Sequence, residues 1–154
     1  MLLLPAMTTG KTSPRWRVGR VVVAFAGLAG GVASCTGADD RPATWSYVST
    51  AILEPSCATA NCHSAIAQRA SVDLSTRADG YKSLVTRGYV IARSAIPVDA
   101  NGVPVINDDQ RVARSAVPQL MRAVGNLRMP PDMPLPETDI QLFEKWIRAG
   151  ALND

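Results

Sequence analysis

The stretch Pro55-Ser56-Cys57-Ala58-Thr59-Ala60-Asn61-Cys62-His63 gathers two thiols and an imidazole into seven residues. His63 is the only histidine of the 154-residue chain, and Cys57 and Cys62 are two of its three cysteines. Whatever these groups do, they do as neighbours, and any group that completes their site must come from a distant part of the chain. Several chemistries suit such a cluster. The thiols can bond to each other, closing a short loop as a structural disulfide. Thiols and imidazole can together bind zinc or copper, with Asp132 for zinc or Met129 for soft copper as a further ligand. A blue-copper centre draws on two histidines, and only one is present.

The N-terminus sets the compartment in which that chemistry runs. Lys11, Arg15, Arg17 and Arg20 precede the apolar run Val21-Val22-Val23-Ala24-Phe25-Ala26-Gly27-Leu28-Ala29. The run is short of the roughly 20 residues of a membrane span and has the form of an export signal. It ends in Val32-Ala33-Ser34-Cys35, small residues before a cysteine that resemble a bacterial lipobox. Residues 1–34 are therefore read as a lipoprotein-type signal peptide, with Cys35 as the lipidated residue and Met7 as an alternative start. The exported chain would sit on the periplasmic side of a bacterial membrane, held there by its lipid. The formal charge of +3 is mostly signal: without those four residues, 12 of the 16 basic residues remain against 13 acidic ones. With no basic stripe and no interleaved aromatics, nucleic-acid binding has no support.

Residues 35–44, with Gly37, Asp39, Asp40 and Pro42, read as a polar tether, and residues 45–152 as one domain. Its pattern predicts an all-α fold. Trp45, Val48, Ile52 and Leu53 recur at helical spacing, and Pro55 should end that helix by Glu54. A short helix is expected over His63–Arg69, a turn at Asp73–Arg77, and a helix over Asp79–Val85 with Tyr81, Leu84 and Val85 on its apolar side. Residues 88–114 read as a surface excursion, a long irregular or hairpin insertion around the Asn101-Gly102 turn signal. Ser115 is a candidate cap for a helix to Val124 that buries Val117, Leu120, Met121 and Val124. Met129-Pro130-Pro131-Asp132-Met133-Pro134-Leu135-Pro136 must be an extended loop. The last helix is the plainest. Glu137 and Asp139 open it, Lys145 and Arg148 close it, Ile140, Phe143, Trp146 and Ile147 form its apolar face, and Gly150 stops it.

The cysteine segment is close to the signature of covalent haem attachment, which has two residues between the cysteines where this chain has four. With Ile52-Leu53-Glu54-Pro55-Ser56-Cys57, Val72-Asp73-Leu74-Ser75-Thr76, Arg128-Met129-Pro130-Pro131 and Trp146-Ile147-Arg148-Ala149-Gly150-Ala151, it resembles the cytochrome c-like domains of planctomycete- and myxobacterial-type exported lipoproteins. The resemblance covers most of residues 45–151, but not 88–114. It implies a small helical cytochrome c fold whose N- and C-terminal helices pack against each other near the haem, with Trp146 as one wall of that packing. It also implies one covalent haem c on Cys57 and Cys62, with His63 as proximal and Met129 as distal iron ligand.

Ligand chemistry leads to the same methionine. An imidazole-bound iron needs a second strong ligand for fast electron transfer, and methionine is what remains when there is no second histidine. Met121 sits on a helical apolar face and reads as core filling. Met129 and Met133 lie in the proline-stiffened loop, and Met129 holds the matching position. Arg128 beside it is a candidate partner for a haem propionate. The expectation is a haem-bearing carrier of single electrons between redox partner proteins, not an enzyme by itself. The alternative is a disulfide-stapled structural or interaction lipoprotein without haem. A hydrolase is disfavoured because the one available base, His63, lies beside Cys62 in sequence. Glu137, Asp139 and Glu144 read as a solvated helix face.

Overall fold

Thr44, in extended backbone at φ −111°, accepts the Tyr47 amide on its hydroxyl and starts helix α1, Trp45–Val48. The computed structural model describes residues 40–154. The signal segment, Cys35 and the first part of the tether lie outside the described residues. Every regular element among the described residues is helical, so the domain is all-α. Paired extended backbone among them amounts to one isolated bridge, Val98 to Pro104. No helix among them is long and apolar enough to cross a membrane.

Helix α1 does not stop before Pro55. A π-helical turn, Ser49–Leu53, carries it into α2, Glu54–Cys57. In regular α-helix the Pro55 ring would crowd the carbonyl of Ala51. The widened turn, in which the Glu54 amide reaches back to the Ser49 carbonyl, makes room for it. Pro55 then sits in the first turn of α2, where a missing amide proton costs nothing. The helix that was expected to end by Glu54 therefore delivers Cys57 in its final turn.

Thr76 caps α3, Arg77–Tyr81, which runs on as a second π-helical turn, Lys82–Thr86. Residues 88–114 are not simply a surface excursion. The Asn101-Gly102 turn forms at the surface, with Asp99 Oδ1 accepting the amides of Asn101 and Val103, each at 2.9 Å. On either side of it the chain is integral to the domain. Val90 and Ala92 are in the core, and a capping box of Asn107 and Gln110 starts α4, Asp108–Arg114. Helix α5, Ala116–Arg122, stops short of the expected Val124, which is exposed. Ser115 precedes α5 without capping it. Its hydroxyl donates to the Arg111 carbonyl at 2.8 Å and accepts the Ile91 amide at 3.0 Å.

Helix α6, Glu137–Ala149, forms with the predicted ends and buries Leu142 beside Ile140, Phe143, Trp146 and Ile147. Each such side chain contributes about 1.5–3 kcal/mol of burial before entropy is charged against it. Gly150, at φ 126°, takes the terminating conformation, and the Ala151 amide closes onto the Trp146 carbonyl at 3.0 Å. The first and last helices meet through Trp45 and Trp146, whose ring centroids lie 4.9 Å apart. Both indoles are satisfied, Trp45 on the Arg77 carbonyl and Trp146 on that of Leu152, each at 2.9 Å. Gly80 sits against the Trp45 ring because a β-carbon there would lie 3.2 Å from the indole.

Asp154 joins the two ends of this core. Its carboxylate accepts the amides of Trp45 and Ser46 and the Ser46 hydroxyl, at 2.6, 3.1 and 2.6 Å. The Ser46 hydroxyl above all holds the carboxyl below its ordinary range. A lowered folded-state value means that this contribution is complete at neutral pH and fades as pH falls below about 4. Asp154→Asn should therefore cost more stability at pH 6 than at pH 3. Urea midpoints at the two pH values measure this, and a constant offset between the proteins would contradict it.

Candidate functional site: an apolar cavity behind the cysteine loop

The spacer between the cysteines folds into a turn directed outward. The Cys62 amide donates to the Thr59 carbonyl at 2.9 Å, and the His63 amide returns to the Cys57 carbonyl at 3.1 Å. Thr59, Ala60 and Asn61 are exposed while Cys57, Cys62 and His63 are half-buried. The loop thus ends beside the residue at which it began, and the extra length is taken up in solvent. The helix expected over His63–Arg69 is absent, replaced by turns and a 3-10 turn, Arg69–Ser71. Gln68, Ala70 and Ser71 all have positive φ, at 39°, 56° and 57°. Left-handed backbone at non-glycine residues costs on the order of 1–3 kcal/mol each unless neighbouring structure enforces it. The enforcing bonds run from the Arg69 amide to the Cys62 carbonyl, from Ser71 to Gln68, and from Leu74 to the His63 carbonyl, at 3.0, 2.7 and 2.7 Å.

Behind this loop lies a cavity of about 240 Å³ with an almost wholly apolar wall. Cys57, Cys62 and His63 line it, and so does Met129. The structure therefore brings all four predicted haem-site residues to one cavity. Leu53, Val72, Leu74 and Leu84 complete the near wall, and Val117, Leu120 and Met121 of α5 also contribute. Met121 is both buried core and cavity wall. Met133 is 72% exposed and is not on the cavity, whereas Met129 is 39% exposed and is. Trp146 belongs to the contact between the first and last helices and does not line the cavity.

The thiols are free. Burial, and secondarily the neighbouring Cys62, pushes the Cys57 thiol up to about 11, so it stays protonated at neutral pH. The Nδ1 atom of His63 is buried with no hydrogen-bond partner. No protein acceptor therefore satisfies that side of the imidazole. Among the described residues, no three His, Cys, Asp or Glu side chains converge to hold a metal ion. The chelate of Cys57, Cys62 and His63 considered for zinc or copper is not assembled, and Asp132 does not line the cavity.

Two arginines lie near this site. Arg128 is engaged with the backbone of its own loop, donating from Nε to the Pro130 carbonyl at 3.3 Å and from a terminal nitrogen to the Pro131 carbonyl at 3.0 Å. It is thus committed elsewhere than to a propionate. Arg69, which no sequence signal singled out, is the one charged side chain on the cavity wall among the described residues. Comparison with protein-family models, with curated proteins and with solved structures found no match.

Proposed function

We propose that the domain is a mono-haem c-type electron carrier, with Cys57 and Cys62 as attachment thiols, His63 as proximal ligand and Met129 as distal ligand. The observation that carries the reading is that Met129, more than sixty residues away in the chain, lines the same apolar cavity as Cys57, Cys62 and His63. The donor set fits the group. Two free thiols are what thioether attachment requires, and one imidazole and one thioether match a six-coordinate iron of raised potential. In this reading the helical domain is cytochrome c-like, and the exposed Asn101-Gly102 turn is an addition to it.

When bound, the haem supplies the one-electron chemistry. The chain's own part is to exclude water with Leu53, Leu74, Leu84 and Leu120, to present the imidazole, and to hold the methionine loop against the cavity. Arg69 would meet the carboxylates of the group. The protein would work outside the cytoplasm, anchored through Cys35, and pass electrons between partner proteins.

A pyridine haemochrome spectrum, on protein made with haem-attachment machinery, tests this. The expected result is a c-type spectrum that survives acid–acetone extraction. Met129→Ala should then abolish the methionine–iron band and open the iron to added imidazole, with Met133→Ala leaving both unchanged. A colourless protein without free thiols would instead indicate the disulfide-stapled lipoprotein.

A further inference from the structure

The loop Met129–Pro136 has a deficit of donors. Proline has no amide hydrogen, so the run Pro130-Pro131 cannot hydrogen-bond through its own backbone nitrogens, and its carbonyls need a donor from elsewhere. Arg128 supplies it. Its guanidinium spans the carbonyls of Pro130 and Pro131, a two-point contact that a planar fork makes and an ammonium does not. The residue between the guanidinium's own backbone and those carbonyls is Met129. The Met129 amide donates to the Leu120 carbonyl at 3.0 Å, fixing it to the end of α5, and the Arg128 amide donates to Gly125 at 3.2 Å. Met129 is thus held at its backbone on one side and clasped by its neighbour's side chain on the other. Leu120, to which it is tied, lines the same cavity as the Met129 side chain.

We propose that Arg128 is a positioning residue: its clasp on Pro130 and Pro131 holds the Met129 thioether at the cavity. The use of that thioether as an iron ligand rests on the reading above, but the clasp itself does not. An arginine in such a place otherwise reads as a surface charge or a carboxylate partner. Its two hydrogen bonds go to carbonyls of its own loop, so keeping the charge without the planar fork should not preserve its role.

Two measurements test this separately. The first uses unloaded, reduced protein labelled with ¹³C at the methionine methyls. In the parent, the Met129 methyl should show contacts to Leu120 and Val117. Arg128→Ala should lose them, and the Met129 amide should exchange with solvent about tenfold faster. Arg128→Lys should restore little, because one ammonium cannot bridge both carbonyls. Unchanged contacts and exchange in Arg128→Ala overturn the proposal, whether or not haem is ever bound. The second uses haem-loaded protein. Arg128→Ala should raise the affinity for added imidazole about tenfold, while the melting temperature of the unloaded chain moves by only a few degrees. Loosened contacts with an unchanged imidazole affinity would support the clasp and count against Met129 as the ligand. If Met129→Ala leaves the spectrum of the loaded parent unaltered, the ligand reading fails, and the methyl contacts alone decide the clasp.

Discussion

Protein carrying the covalent porphyrin should melt about 10–20 °C above the same chain made without it and kept reduced. The reason is the cavity itself. An unfilled volume deprives its walls of packing partners at roughly 24 cal/mol per Å³. Applied to about 240 Å³, this gives about 6 kcal/mol as an upper figure. The cavity is partly open to solvent and Met129 on its wall is itself exposed, so part of that loss is relieved by water and by relaxation of the loop. A gain of about 3–5 kcal/mol on filling is the working figure, and for a domain of this size each kcal/mol moves the midpoint by about 4 °C. Thermal unfolding of the two preparations by circular dichroism measures the difference. Equal midpoints would mean that the walls close on themselves without a ligand, and the cavity would lose its standing as a cofactor site. The argument also implies that filling can be mimicked. A larger apolar residue at Leu120 should stabilise the unloaded chain while excluding the porphyrin.

The sequence was most legible where one physical signal acted alone. Helix α6 carries its dipole charges, its apolar face and its terminating glycine within Glu137–Gly150, and it forms with those ends. The cysteine segment and the Met-Pro-Pro run were recognisable by residue type, and the structure brings them to one cavity. The sequence was misleading where tertiary geometry changed a local rule. Pro55 normally ends a helix, but the π-helical turn before it absorbs the ring, so the helix reaches Cys57. Ser115 has the chemistry of a cap, yet its hydroxyl is spent on Arg111 and Ile91. Arg128 drew attention by its place beside Met129 and Arg69 did not, and only the fold shows that Arg128 bonds to the backbone of its own loop while Arg69 lines the cavity.

Residues 88–114 show the same limit most plainly, and Arg111 is the reason the segment belongs to the domain. Arg111 is 1% exposed, a burial that a charged residue tolerates only with its donors satisfied. Its guanidinium donates to the Ile91 carbonyl at 3.2 Å, to the Arg148 carbonyl at 3.0 Å and to Asp108 Oδ1 at 2.7 Å. One side chain thereby ties the chain before the exposed turn to α4 and to the end of α6. Arg111→Ala should cost the fold about 2–4 kcal/mol. The Ile91 carbonyl would lose its side-chain donor at about 1–3 kcal/mol, the Arg148 carbonyl would keep Arg93 at 3.1 Å, and the apolar stem would lose its packing as well. Asp108 would keep Arg93, at 2.9 Å, so it adds little to the loss. Arg111→Met should recover only about 1 kcal/mol, since it restores the stem and not the donors. Urea unfolding of the unloaded proteins measures both, and a loss below 1 kcal/mol in Arg111→Ala would show that the segment is held by its apolar contacts alone. The effect should reach the cavity. The Tyr89 carbonyl accepts the Ala116 amide at 2.8 Å, and Tyr89 and Val117 both line the wall. Freeing the segment around Ile91 from α4 therefore loosens that wall, so Arg111→Ala should also yield less porphyrin-loaded protein than Arg111→Met.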